Sequence, residues 1–229
     1  MYMSTLSKVA SQVHLDSVSS CLAVGPGEGL MEIRFIAKCA GNVNKLIAVE
    51  QDHESVQRLS DHLEKILPNV QGVMIESDFD SWKGPVDPVE LVLLFHTLYY
   101  HRPDERKQFL QKLHDRWLVS GGFVVVLTVS HSKSPGNSSE IFERLGSPIA
   151  AWEDIEADVL EVGLIKQHEF EIQFKRDFSN PDESYLRFFQ SHVEQPVTLD
   201  DIRAAINELY PTGITDQCFN ALAVFQKTR

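Results

Sequence analysis

Apolar positions along the chain fall into two rhythms. Short runs at residues 20–24, 45–49, 72–75, 90–95 and 122–129 are almost uniformly apolar, as strands are when both faces of their sheet are covered. Longer amphipathic stretches alternate with them at 30–40, 53–66 and 104–117. In the last of these, Phe109, Leu110, Leu113 and Trp117 recur near helical spacing. Strand and helix in turn predict a parallel sheet covered by helices. The rhythm changes in the last third. There 170–174 and 219–225 read as a terminal strand pair, with a helix over 199–209 between them and Thr198 as its N-cap. Residues 130–137 (SHSKSPGN) and 179–183 (SNPDE) carry turn chemistry; both read as loops above a sheet edge, where ligands bind, and not as domain linkers. A single domain over 1–229 is expected.

Composition narrows the function. The 229 residues are 43% hydrophobic and 24% charged, enough to bury a sizeable core without staples. Twenty-one basic against 33 acidic residues give a net charge of −12, which disfavours a broad phosphate-binding surface and would attract a small cationic ligand. No nucleic-acid partner is expected. Cys21, Cys39 and Cys218 are odd in number and lack C-x-x-C spacing, so neither a disulfide framework nor a zinc knuckle is indicated. His14, His114, His131, His168 and His192 show no metal-ligand spacing, and no metal is expected. The longest apolar stretches, 89–100 and 123–129, are too short to cross a bilayer, and residues 1–11 lack a signal-peptide apolar region. The expectation is a cytoplasmic monomer with no membrane partner.

The most informative string is Cys21-Leu-Ala-Val-Gly25-Pro-Gly27-Glu-Gly29, a buried strand running into a glycine turn that opens a helix. Glycines let a backbone approach a ligand closely, and a helix N-terminus offers free N–H groups. The G-x-G-x-x-G dinucleotide fingerprint fails because Leu30 stands at its sixth position, and Gly-Lys-Ser/Thr of a Walker loop is absent. What fits is G-x-G-x-G, the first motif of the class I methyltransferases that use S-adenosyl-L-methionine, although Ala23 occupies a position where many of them carry an acid. Glu50 ends the next strand, where a carboxylate can accept both ribose hydroxyls of an adenosine. Taken alone, Glu50 or Asp52 reads as a cap of the following helix; taken with the glycine turn, Glu50 reads as the ribose ligand. After the third strand comes Glu76-Ser-Asp78-Phe79-Asp80. Asp78 is the first choice for the adenine amino group, with the apolar Phe79 covering the ring. The fourth strand ends in Phe95-His96-Thr-Leu-Tyr99-Tyr100-His101, where such a fold places the atom to be methylated. Gly121-Gly122 then precedes the fifth strand.

With these residues the chain resembles the histamine N-methyltransferase family within the class I methyltransferases. The likeness rests on 24–29, on Val49-Glu50, on Leu98-Tyr99-Tyr100, on the order of elements and on Phe219-Asn220-Ala-Leu222. It implies a Rossmann-like class I methyltransferase fold: a mostly parallel seven-stranded sheet with helices on both faces, the last strand antiparallel, and acceptor-side elements at about 130–215. It places the cofactor S-adenosyl-L-methionine at Gly25, Glu50 and Ser55, with Phe95 near the adenosine. Acceptor contacts fall on His96, Tyr99, Tyr100, Phe142, Phe188 and Asn220. The implied activity is methyl transfer to a small-molecule amine or imidazole nitrogen. An ammonium must lose a proton before it attacks a sulfonium methyl, and a histidine with a pKa near neutrality could accept it, which makes His96 the expected catalytic residue. The aromatic rings could also face a cation, or simply pack in the core. Two rivals remain: a cofactor-binding or interaction module that has lost turnover, and a nicotinamide oxidoreductase, against which the missing third glycine counts.

Overall fold

The structure, a computed structural model, describes residues 2–78, 81–129 and 138–228. Its centre is a seven-stranded sheet. The strands are β1 (Ser20–Val24), β2 (Lys45–Glu50), β3 (Gln71–Glu76), β4 (Val89–Phe95), β5 (Leu118–Val129), β6 (Leu164–Asp177) and β7 (Ile214–Lys227). Their spatial order is β3-β2-β1-β4-β5-β7-β6. The first five are mutually parallel; β7 slots antiparallel between β5 and β6. The sheet is therefore the expected one, and its strand order reverses between β1 and β4. At such a switch point, crossovers leave in opposite directions and a crevice opens beyond the strand ends.

Strand periodicity splits the interior into two cores. Cys21 and Ala23 of β1 face one side, packed with Ile33, Phe35 and Ile36 of α2 (Leu30–Cys39), Leu59 and Leu63 of α3 (His53–Ile66), and Leu6 and Val9 of α1 (Tyr2–Gln12). Leu22 and Val24 face the other. There they meet side chains of α4 (Pro103–Lys112), α5 (Ser138–Arg144), α6 (Trp152–Glu161), α7 (Glu183–His192) and α8 (Leu199–Leu209). On that second face Arg106 of α4, 2% exposed, pairs with Asp158 of α6, 6% exposed, through Nε–Oδ2 and Nη2–Oδ2 contacts of 2.6 and 2.5 Å. The pair locks two helices together from inside.

Differences from the expected elements have local causes. The helix expected to reach Trp117 is α-helical only to Lys112 and closes with a π-helical turn over Leu113–Trp117. β5 begins at Leu118, so Gly121-Gly122 lie inside the strand; Gly121 has φ 79°, and the pairing register with β4 shifts there. β6 and β7 are each 14 residues long, far beyond their apolar centres. Edge strand β6 alternates exposed polar and buried apolar positions, so a search for uniformly apolar runs finds only its middle. Helices α1, α5, α6 and α7 were absent from the expectation. α8 starts where expected, with Thr198 Oγ1 accepting from the Asp201 N–H at 3.1 Å in a capping box. The loop expected at 130–137, with His131, lies outside the described residues.

Candidate functional site

Glycines are obligatory in the turn between β1 and α2. Gly25, Gly27 and Gly29 have φ of 59°, 56° and 67°, a region that costs an L side chain about 1–2 kcal/mol. Space separates their roles. A Cβ at Gly29 would lie 1.7 Å from Leu59 Cδ1, one at Gly25 would touch Thr97 Cγ2 at 3.3 Å, and one at Gly27 would meet nothing within 4 Å. Gly27 thus leaves an opening of the kind a close-lying ligand would fill.

Glu50 fixes the same turn from β2. Its Oε2 accepts the Gly27 N–H at 2.8 Å, and its Oε1 accepts the N–H groups of Gln51 and Asp52 at 2.8 and 3.0 Å. A carboxylate offers about four acceptor sites, so the three backbone bonds leave capacity for one more donor, on Oε2. Helix capping falls to Asp52, whose Oδ2 accepts from the Ser55 N–H at 2.8 Å. From α3, Arg58 pairs with Glu28, and the His62 ring meets the Glu28 carbonyl at 2.9 Å. Thr97 Oγ1 donates to the Val24 carbonyl at 2.8 Å, which joins the ends of β1 and β4.

These strand ends open into a cleft of about 1120 Å³. Gly25, Gly27, Gly29, Glu50, Ser55 and Phe95 line it, as do His96, Tyr99, Tyr100, Phe142 and Phe188. Asp78 does not. Its carboxylate accepts from the Ser81 N–H and hydroxyl at 2.9 and 2.7 Å, while the preceding Ser77 reaches the wall. Phe79 lies outside the described residues. Asn220 stands behind the wall, buried, with Nδ2 at a long 3.5 Å from His96 Nε2.

His96 occupies an uncommon conformation. Its φ is 56°, the one positive value outside glycine among the described residues, and its N–H donates to the Leu127 carbonyl at 2.7 Å. Strained backbone of this kind persists only where the surroundings hold it, and it clusters at functional sites. Burial, helped by the positive charge of Arg176, pushes the imidazole down from 6.5 to about 4. The ring is therefore neutral at physiological pH, unlike the near-neutral titration expected from the sequence. Around it lie aromatic rings: Tyr99 packs against Tyr100 at 4.3 Å, Tyr100 stacks on His192 at 4.4 Å, and Phe142 packs against Phe189 at 5.0 Å.

Sequence reasoning missed much of this wall, Glu32, Arg176 and Tyr185 among it, and His192, expected as a surface or core residue, also lines the cleft. Glu32, in the first turn of α2, is 4% exposed. Burial lifts its carboxyl to about 8; its own backbone N–H opposes the rise and the charge of Glu50 adds to it. Glu32 in turn raises the thiol of Cys21 in β1, which burial already pushes far up, so α2 delivers an acid to a strand whose Ala23 lacks one. Arg176 lies at the end of β6, beyond the apolar centre that marked the strand. The signal for Tyr185 was present: Asp182 caps α7 by accepting the Tyr185 N–H at 2.7 Å, and Tyr185, Leu186 and Phe189 follow at helical spacing. Among the described residues no group of three or more His, Cys, Asp and Glu could hold a metal ion, and no helix is long and apolar enough to cross a membrane.

Strand order and crevice together define the class I methyltransferase fold, and solved structures agree. A Bacillus halodurans C-125 protein provisionally named a methyltransferase aligns at TM-score 0.66 and 15% identity, over 99% of this chain and 100% of that one. The N-methyltransferase NodS of Bradyrhizobium japonicum WM9, solved with S-adenosyl-L-homocysteine, aligns at TM-score 0.61 and 13% identity, over 99% and 87%. The [4+2]-cyclase SpnF aligns at TM-score 0.62 and 16% identity, over 98% and 80%. No protein-family model matches the chain, and no curated protein matches it in sequence.

Proposed function

We propose that the protein is an S-adenosyl-L-methionine-dependent methyltransferase that acts on a nitrogen of a small amine or imidazole. The observation that carries this reading is the joint construction of the glycine turn and Glu50. One carboxylate is oriented by three backbone N–H groups and retains acceptor capacity beside a Gly27 whose missing side chain leaves room. The donor set suits the group: Glu28, Glu50 and Asp52 line one end of the cleft, acids that complement a sulfonium and an ammonium, while burial holds the neighbouring Glu32 protonated. When bound, the cofactor supplies an electrophilic methyl and departs as a neutral thioether, so little new charge needs stabilising. Positioning and exclusion of water then carry the rate.

The chain's own residues meet those needs. Glu50 takes one ribose hydroxyl on Oε2, while Gly27 permits close approach. Neutral His96 is a poor proton store, so the acceptor sheds its ammonium proton to solvent before attack. His96 then accepts a hydrogen bond from the remaining N–H and turns the nitrogen lone pair toward the methyl. Tyr99, Tyr100 and Phe142 wall the acceptor from water. The likeness to the named N-methyltransferase NodS supports the nitrogen acceptor only at the level of fold.

Two measurements test the reading. Cofactor at a hundred times its dissociation constant stabilises a native-selective site by about 2.7 kcal/mol, roughly 5 to 10 °C in melting temperature for a domain of this size. No shift would sink cofactor binding. Release of S-adenosylhomocysteine across a panel of amines and imidazoles then separates an enzyme from a module without turnover.

A further inference from the structure

The net negative charge hides a cleft that is polarised along its length. Its cofactor end carries Glu28, Glu50 and Asp52, beside a Glu32 that burial holds protonated. Its other end carries the cation Arg176, and Asp182, the acid that lines that end among the described residues, caps α7 by accepting the Tyr185 N–H on Oδ1. At physiological salt, charges farther than about 8 Å are largely screened. The groups on the wall therefore decide what enters, and the overall −12 does not.

Arg176 is the second-last residue of β6, on the same side of the strand as Phe174. Its guanidinium carbon stands 5.2 Å from the Phe174 ring centroid, and Nη1 donates to the Tyr185 hydroxyl at 2.9 Å. Strand and helix together thus hold the side chain at the cleft. Its field reaches across the cavity: it depresses His96, and it opposes the rise that burial imposes on the hydroxyls of Tyr100 and Tyr185. A guanidinium presents a planar fork of donors matched to a carboxylate. The same group repels a free cationic amine.

We propose that the methyl acceptor is a small zwitterion, an amino acid or similar amine that carries a carboxylate, with the carboxylate on Arg176 and the nitrogen facing His96. This rests on the nitrogen-methylation reading above and names its substrate class. Neutral His96 and cationic Arg176 then divide the work, one orienting a lone pair and the other anchoring a charge.

Matched pairs of probes test it on the full chain saturated with S-adenosylhomocysteine: L-histidine against histamine, L-phenylalanine against 2-phenylethylamine, and sarcosine against dimethylamine, titrated by calorimetry. In at least one pair the carboxylated member binds ten-fold or more tighter. Arg176→Gln narrows that ratio below three-fold, whereas Arg176→Lys keeps part of it, and cofactor-induced thermal stabilisation is the same in all three proteins. The proposal is overturned if the decarboxylated member binds equally well or better in every pair, or if no carboxylated member binds at 10 mM. It is also overturned if Arg176→Gln leaves the ratio intact. Should Arg176→Gln fail to fold, the wild-type ratios together with Arg176→Lys decide. Mass spectrometry of turnover products separates the two ideas. Methylation of decarboxylated amines alone sinks the zwitterion and spares the nitrogen reading. A methyl on carbon or hydroxyl oxygen of an acceptor that still depends on Arg176 does the reverse.

Discussion

Glu32 allows the construction of the glycine-turn end of the cleft to be tested without any ligand. Its carboxyl, 4% exposed, is lifted from 4.5 to about 8, chiefly by burial. Below pH 4.5 the acid is protonated in both folded and unfolded chains and costs nothing. Between 4.5 and about 8 the unfolded chain releases the proton while the folded chain holds it, so stability falls as pH rises. The slope is about 1.4 kcal/mol per pH unit, and over the whole window the loss reaches about 5 kcal/mol. Above that window the penalty is constant. Against a typical total stability of about 5–15 kcal/mol, this is a large fraction. Glu32→Gln keeps a neutral polar side chain at every pH. Urea denaturation of both proteins at pH 5, 7 and 9 should give nearly equal stabilities at pH 5 and a gap of several kcal/mol in favour of the variant by pH 9. A gap that stays the same at all three values would refute the reasoning, because it would mean that Glu32 titrates alike in folded and unfolded chains.

The glycine turn gives a second contrast. Gly29→Ala forces a Cβ against Leu59 at 1.7 Å and should cost roughly 2–4 kcal/mol through overpacking and backbone strain. Gly27→Ala meets nothing, so it should lower stability by only about 1 kcal/mol yet abolish the thermal shift with S-adenosyl-L-methionine. Asp158→Asn leaves the Arg106 guanidinium buried without its counter-charge and should destabilise by about 3–5 kcal/mol in denaturant melts. His96→Ala should spare cofactor binding and lower kcat roughly 100-fold through lost orientation. Because His96 titrates near 4, kcat/KM for an amine should rise with the acceptor's own ionisation and show no inflection near 6.5; such an inflection, removed by His96→Ala, would restore the proton-accepting role.

The centre of the sheet was legible because β1, β2 and β4 are covered on both faces, so their sequences are apolar whatever packs on them. The turn and Glu50 were legible because backbone geometry admits few residues there. Arg176 was not, since it lies where β6 passes from apolar to polar and marks a strand only once β7 is seen beside it. Asp78 looked the better adenine contact on charge alone, but its bonds to Ser81 turn the carboxylate to local use and leave Ser77 on the wall. The depressed pKa of His96 is a property of what surrounds the ring, and the charge that helps to depress it, Arg176, comes from β6, distant in the chain.

The cavity draws its wall from three separate stretches of polypeptide. The end beside the glycine turn is furnished by residues between Val24 and Ser77, and the rest by residues 95–101 with Val129 and by residues between Phe142 and His192. On the proposed function, drift in the last of these stretches would retune what is modified without disturbing the machinery that recognises the donor. Grafting that stretch among proteins of this architecture is a rational route to new acceptor preferences, with the β1–β2 half kept as an invariant chassis.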